Sequence, residues 1–481
     1  MTTDCINKSE RRANTSDYSS VVIVGAGPAG MNAAFLLAQH GVKSTVIDEN
    51  PGIGGVVYRV PAYGLNSKEL PKKIKQENEW IRRTYEQYSE HIHLVLQTRV
   101  LGPMKSEGQL ALYNTRNRVF PYEFRNLILS TGCYERSVPF PGWTLPGVMT
   151  VGGAQLQVKQ GRVRPGKKIV LVGSGPLLLV AAKQLHMAGV EVLGVYESGR
   201  LTHLAKHSLS LLRNIALLKE GLSHIRYLKQ AKIPIKTGWG VIEATGNDEL
   251  NGVLVAPYDK DWRPVRGEAE FVKTDCLGVG YGFVSRIQLP QLLGVTLHDT
   301  EHSGLQPVID NMMRTSKKNV FVAGDNVGIY GAQVAALQGK LSAISCLMDL
   351  ERISQGEAEK LAFPIRKKIN ACKSFQHALK EFSKPRDGLL ELPCSDTVIC
   401  RCENVTLDQI DRSVKQEIQD IVTLKMTTRI SMGDCQGKVC SCYCYDYLKK
   451  KVGKKDVGFL RARFPLSLIS FDAMLAGRKK E

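Results

Sequence analysis

The amino-acid sequence predicts an α/β protein built from two Rossmann-like dinucleotide-binding units and a small, α-rich C-terminal domain that carries cysteines. Three stretches predict it. Val21–Gly55 reads as strand, glycine loop, helix and strand; Lys167–Glu197 repeats that unit; and Cys400–Cys440 spaces four cysteines as C-x-C-x32-C-x4-C. Of 481 residues, 43% are hydrophobic, enough for several cores.

In the first unit, the apolar run Val21–Val24 predicts a buried parallel strand. Gly25, Gly27 and Gly30 follow as G-x-G-x-x-G. Gly25 serves the tight turn, Gly27 lets backbone approach a pyrophosphate, and Gly30 lets the next helix pack on the strand. That helix has an apolar face of Ala33, Ala34, Leu36, Leu37 and Ala38, an anion-binding N-terminus, and Gly41 as its C′ glycine. A second strand, Ser44–Ile47, ends at Asp48-Glu49, where a carboxylate would bond an adenosine ribose. Counting from Gly30 favours Asp48 and counting back from Gly54 favours Glu49.

Further along, Ser67–Tyr88 suits a surface helix, and Ile92–Arg99, Gln109–Tyr113 and Arg118–Phe124 suit an antiparallel meander. Asn126–Gly132 returns as an apolar strand ending in Thr131-Gly132, placed for a cofactor at a strand's carboxyl end. The second unit keeps Gly173 and Gly175 but has Leu178 at the packing position, which predicts a wider helix–strand spacing. Its ribose acid would be Glu197, compatible with a free 2′-hydroxyl. The unit would hold NAD, ATP or nothing. Asn319–Ala323 predicts a short strand that ends at Gly324-Asp325, with a helix beginning at Gly331. Asp325 either accepts hydrogen bonds from polyol hydroxyls or caps the next segment.

Twelve cysteines, half of them between Cys400 and Cys444, argue for metal ligands over a disulfide framework. Cys400, Cys402, Cys435 and Cys440 supply four thiolates for a [2Fe–2S] cluster, and C-x-C suits zinc poorly. Thr406–Gln419 reads as a helix N-capped by Thr406; Gly433 and Gly437 loosen the second loop, and Cys442 and Cys444 read as spare thiols. The formal charge of +19 has dense runs at Lys449–Lys455 and Arg478–Lys480. It fits a solvated basic face better than membrane headgroups or an acidic protein partner, and nothing accompanies it that reads nucleic acid. No run of about twenty apolar residues predicts a membrane span, and Met1–Ser20 lacks an apolar signal region.

The first unit, the STG strand and Gly324-Asp325 resemble the glutathione reductase-like flavoproteins with two dinucleotide-binding domains. The resemblance implies FAD on Gly25, Gly27, Pro28, Ala29, Gly30, Asp48 or Glu49, and Gly55, and further along on Thr131, Gly132, Gly324 and Asp325. The redox cysteine pair of the disulfide reductases is absent from GIGGVVYRVPAYG and from the second unit, which disfavours a dithiol reductase. ICRCENVT and SMGDCQGKVC resemble the BFD-like [2Fe–2S] domain. Fused to the flavoprotein half, with STGCYERSVPFPGWTLPGVMTVGGAQ and VGYGFVSRIQLPQLLG, they resemble the large FAD subunits of bacterial amine and amino-acid dehydrogenases. Opine oxidase A subunits, hydrogen cyanide synthase B subunits and dye-linked proline and hydroxyproline dehydrogenase α subunits form that group.

With the polar, mixed-charge N-terminus expected to be a disordered leader at 1–19, the resemblance implies an FAD domain at 20–160 and 291–350, and a second Rossmann domain at 161–290. A helical linker at 351–393, an iron–sulfur domain at 394–465 and a basic tail at 466–481 complete the division. It also implies electron transfer beside a glycine-oxidase- or sarcosine-oxidase-like flavoprotein subunit that oxidises the C–N bond, in some complexes with an interfacial FMN and a small ferredoxin-like subunit. Cytoplasmic residence, with contact at the inner membrane, is the matching expectation. Arg59, Arg136 and Arg286 are candidate carboxylate clamps, although a chain with 65 lysines and arginines places such residues near any cleft. No catalytic acid, base or nucleophile stands out. Two rivals are an NAD(P)H-dependent ferredoxin reductase-like flavoprotein and a non-enzymatic redox-sensing or scaffold module.

Overall fold

The computed structural model describes residues 20–58, 72–200, 202, 215–300, 304–454 and 456–476, and Val21–Val24 (β1) is the middle strand of a five-stranded parallel sheet. Beside it run Ser44–Ile47 (β2) and Ile92–Val95 (β3) on one side, Asn126–Leu129 (β7) and Val320–Val322 (β20) on the other. β1 is apolar throughout because both sheet faces are covered. Val21 and Ile23 meet the helical side, while Val22 and Val24 meet Leu110 and Leu112 of a meander. Pro28–Gln39 (α1) follows the glycine loop with Pro28 at its first position, and Lys72–Gln87 (α2) lies outside it. The earlier part of the expected surface helix, together with Arg59, falls outside the described residues.

The run Ile92–Arg99 is not one meander strand. It breaks at Gln97, whose φ is +52°, so that β3 joins the parallel sheet and Thr98–Pro103 (β4) begins the meander. Gln109–Asn114 (β5) and Val119–Glu123 (β6) complete it. Both halves carry strand-forming residues, and only the left-handed residue between them marks the corner.

Cys133–Glu135 (β8) and Val148–Thr150 (β9) lead through Val151–Leu156 (α3) into the second unit. There Lys168–Gly173 (β10), Leu177–Met187 (α4) and Glu191–Glu197 (β11) repeat the strand–helix–strand order. Ile215–Gln230 (α5), Ile235–Thr237 (β12) and Cys276–Gly280 (β16) extend the sheet to β12-β11-β10-β16-β9. A second meander, Trp239–Gly246 (β13), Leu250–Pro257 (β14) and Glu270–Lys273 (β15), covers one face. Leu178 is buried in the helical layer. A Cβ built on Gly280 would lie 3.9 Å from Leu178 and 3.1 Å from Val151. Phe283–Ser285 (β17), Gln288–Leu292 (α6) and the hairpin Leu297–Thr300 (β18) with Gly304–Pro307 (β19) return the chain to the first domain.

Ala332–Asp349 (α7) packs on α1 so closely that a Cβ on Gly339 would stand 2.0 Å from the Ala29 carbonyl oxygen. Gln355–Ser383 (α8) starts at a capping box of Ser354 and Glu357 and runs for 29 residues. Its first half packs against α7 through Ala358, Ala362 and Ile369, and its far end reaches the second unit.

The cysteine domain has a core of its own, including Ile399, Leu407, Ile410, Ile421, Leu424, Tyr443 and Leu448. Leu407–Lys415 (α9) ends four residues short of the expected Gln419, because Glu417 turns left-handed at φ +65° before Ile421–Thr428 (α10) begins. Ser441–Val452 (α11) carries the basic run, yet its lysines face acids of other segments: Lys450 pairs with Glu391 at 2.7 Å, Lys449 with Asp299 at 3.8 Å and Lys451 with Asp411 at 3.9 Å. The segment after Pro465 folds back onto the first meander through the Leu466 N–H donating to Leu101, and ends in Phe471–Ala476 (α12).

This domain docks through Arg136, which donates to Asp446 at 2.9 Å with its own side chain 9% exposed, and through the Trp143 indole N–H donating to Val398 at 2.6 Å. Arg136 is therefore a strut and not a carboxylate clamp. Truncating it as Arg136→Ala leaves Asp446 unpaired in a half-buried seat, an expected loss of about 2 kcal/mol in chemical denaturation. The double variant with Asp446→Ala is expected to recover part of that loss, and additivity of the two single changes would show the pair to be unimportant.

Candidate cofactor and metal centre

At the carboxyl ends of β1 and β7 the glycine loop is tied down from two sides. The Gly25 N–H donates to Ile47 at 2.8 Å, and the Ser130 hydroxyl lies 3.0 Å from both the Val24 and Gly25 carbonyls. The two candidate ribose acids have different neighbours. Asp48 accepts from the Ala26 N–H at 2.7 Å and from Asn50 N–H and Nδ2 at 2.8 Å, so it braces the loop. Glu49 points outward to Arg286 at 3.1 Å and Arg99 at 4.0 Å.

The remaining expected residues converge on the same cleft. A Cβ on Gly27 would meet nothing nearer than the Gly55 Cα at 3.9 Å, and one on Gly132 nothing within 4 Å, so the loop faces open space. Asp325 follows β20 with its Oδ1 buried and unpartnered, while Oδ2 accepts from the Cys133 thiol at 3.5 Å. Burial raises the carboxyl's pKa. An orphaned buried acceptor of this kind needs a donor to complete the site, and a ribityl hydroxyl supplies one. Gly324 donates to Gln338 at 3.0 Å, and Lys373 and Lys380 of α8 stand over the Tyr330 ring just before α7.

Sequence reasoning missed Asn326, which is fully buried. Its Oδ1 accepts from the Gly132 N–H at 3.0 Å and its Nδ2 donates to the Thr131 hydroxyl at 2.8 Å, so it sets both positions. Its one signal was adjacency to Gly324-Asp325. Arg286, proposed for substrate, instead lies over the Tyr134 ring at 4.6 Å and bonds Glu49, with Nε buried and unpartnered. Cys133 is also in the cleft, where burial, then the Asp325 charge, pushes its thiol well above the usual range.

In the second unit the corresponding acid braces its loop as Asp48 braces the first. Glu197 accepts from the Gly175 N–H at 2.9 Å and the Gly199 N–H at 2.8 Å. Burial pushes it up to about 7 against an ordinary 4.5. The folded state thus binds a proton the unfolded chain has released. This contribution to stability is full below about 4.5 and is lost as pH rises to about 7, a change of about 3 kcal/mol. Glu197→Gln is expected to flatten that part of the thermal stability profile between pH 5 and 8; an unchanged slope would exclude Glu197 as its source.

Cys400, Cys402, Cys435 and Cys440 come together as two linked pairs. Cys400 lies within electrostatic reach of Cys440, and Cys402 within reach of Cys435 and Cys400. Among the described residues no three cysteine, histidine or acidic side chains are posed around a single ion. The pairs can close because position 433 lacks a side chain: a Cβ there would be 2.3 Å from the Cys402 Cβ. The Ser431 hydroxyl lies 3.1 Å from the Cys440 sulfur. Cys444 touches Cys440 one helical turn on, and Cys442 faces Arg136. The group adjoins the cleft, since Tyr134 and Lys438 both feel the charge of Cys435 and Glu49.

Residues 19–339 match the pyridine nucleotide-disulphide oxidoreductase family, and the chain is 43% identical to hydrogen cyanide synthase subunit HcnB of Pseudomonas protegens over 94% of its length and 96% of that protein's. The chain belongs to this oxidoreductase family. Residues 395–478 match the sarcosine oxidase A3 domain, which gives the cysteine region a family description other than the BFD-like one. The opine oxidase A chain of Rhizobium meliloti is 30% identical over 94% of this chain and 86% of its own. L-proline dehydrogenase from P. horikoshii shares the fold with a TM-score of 0.69 and 20% identity, covering 95% of this chain and 79% of that one. The chain is an FAD-dependent oxidoreductase.

Proposed function

We propose that the chain is the electron-transferring FAD and [2Fe–2S] subunit of a hetero-oligomeric amine or amino-acid dehydrogenase of the hydrogen cyanide synthase type, with C–N oxidation on a partner flavoprotein subunit. The observation that carries this reading is the adjacency of two dithiol pairs to an FAD-type cleft. The higher identity to HcnB, 43% against 30% for the opine oxidase relative, supports that branch. When bound, FAD and the cluster would together convert two-electron delivery into single-electron steps.

The chain's own residues would bind and orient. Gly25, Gly27 and Gly30 shape the pyrophosphate seat, Asp48 is the ribose acid in the position that Glu197 occupies in the second unit, and Asp325 accepts from the ribityl chain. Cys400 and Cys440, with Cys402 and Cys435, would hold the two irons. A small ferredoxin-like subunit, an FMN at the subunit interface and cytoplasmic residence with inner-membrane contact complete the proposal. Co-expression with the partner subunit tests it: substrate-dependent dye reduction and cyanide release are expected only from the complex. Turnover by the isolated chain would overturn the division of labour, and colourless protein would favour the scaffold reading.

A further inference from the structure

The two dinucleotide units differ in what lies on their glycine turns. Above the first, a Cβ on Gly27 reaches only the Gly55 Cα at 3.9 Å. On the second, the chain's own helix has taken the place. α8 ends at Ser383, whose carbonyl oxygen accepts from the Ser174 hydroxyl at 2.9 Å and whose Cβ is 3.4 Å from a Cβ built on Gly175. Phe382 lies flush on Gly199, where a Cβ would stand 2.7 Å from its ring. The Phe382 side chain is only 9% exposed.

Two features of this contact oppose a pyrophosphate. The seat is filled by backbone and a ring. What arrives there is a helix C-terminus, whose free carbonyls carry partial negative charge where an anion site needs N–H groups.

We infer that the second unit is closed to NAD, NADP and ATP by the end of α8, so that no nicotinamide feeds the flavin within this chain and its electrons come from a partner subunit that oxidises a C–N bond. The inference deepens the function proposed above and rests on the first unit being the flavin site. It also sets aside the ferredoxin reductase-like rival, whose hydride would have to come from the second unit. Ser174 and Ser383 thereby acquire a role that the glycine motif alone conceals.

Photolabelling of the flavin-loaded full-length chain with 8-azido-ATP and with an azido analogue of NAD, followed by peptide mapping, tests this separately from turnover. Peptides spanning 168–200 are expected to stay unlabelled, and NADH is expected to leave the flavin oxidised under anaerobic conditions. Phe382→Ala, which uncovers Gly199, is expected to raise labelling of those peptides by about tenfold. Ser174→Ala, which releases the Ser383 carbonyl without making a cavity, serves the same purpose should the first variant fail to fold. Labelling of 168–200 in the wild-type chain, competed by NAD, would overturn the closure. So would a folded, opened variant that remains unlabelled. Failure of the reconstituted complex to oxidise an amine would instead count against the proposed function and leave the mapping result standing.

Discussion

Gly30→Ala protein is expected to be recovered with less than about a tenth of the wild-type flavin per chain. A Cβ at this position would stand 1.9 Å from the Gly25 carbonyl oxygen and 2.7 Å from the Ser130 hydroxyl. Neither neighbour can yield. The Gly25 N–H is held by Ile47 of β2, and its carbonyl is bonded by Ser130 at the end of β7. The only relief is to lift α1 off β1, which moves the N–H groups of its first turn away from the pyrophosphate. The overlap is with backbone, so the cost is on the order of 4 kcal/mol, at the upper end for a single substitution. Flavin absorbance per chain and the thermal midpoint measure it, and stoichiometric flavin in the variant would refute the packing argument. The second unit supplies the internal comparison, since a buried Leu178 occupies the matching position there.

Cys435→Ser and Cys400→Ser are each expected to abolish iron binding, from about two irons per chain to none, with flavin retained. Each change breaks one of the two dithiol pairs. The flavin cleft has its own core and takes no packing from these thiols. Cys442→Ser is the control: its side chain faces Arg136 and not the pairs, so iron content should be unchanged. Iron analysis and visible spectra of the four proteins decide the matter. One zinc in place of two irons, or equal loss from Cys442→Ser, would remove the cluster from the proposal.

Where chemistry is written in local order, the sequence was legible to the residue. β1 and β2 fall at Val21–Val24 and Ser44–Ile47 as the apolar runs indicate, and the helix that follows the glycine loop closes with Gly41 at φ +70°. These elements follow from short-range constraints: strand runs buried on both faces, a proline at a helix start, a glycine at its end. The meander was half legible, because Ile92–Arg99 has uniform strand character and only the conformation of Gln97 divides it. The basic run at Lys449–Lys451 read as a solvated face, since its acid partners Asp299, Glu391 and Asp411 are distant in sequence.

By itself the sequence determined that the chain contains two glycine-turn units and a four-cysteine segment, because each is a local pattern whose spacing carries its own geometry. Which unit is open was decided only by the tertiary structure. The closing residues, Phe382 and Ser383, lie about two hundred positions from the turn they cover. Distance in sequence also hid Asn326 behind Thr131 and Gly132, and the strut between Arg136 and Asp446. A motif reports what its own backbone can cradle; whether the cradle is free depends on what the rest of the chain packs against it.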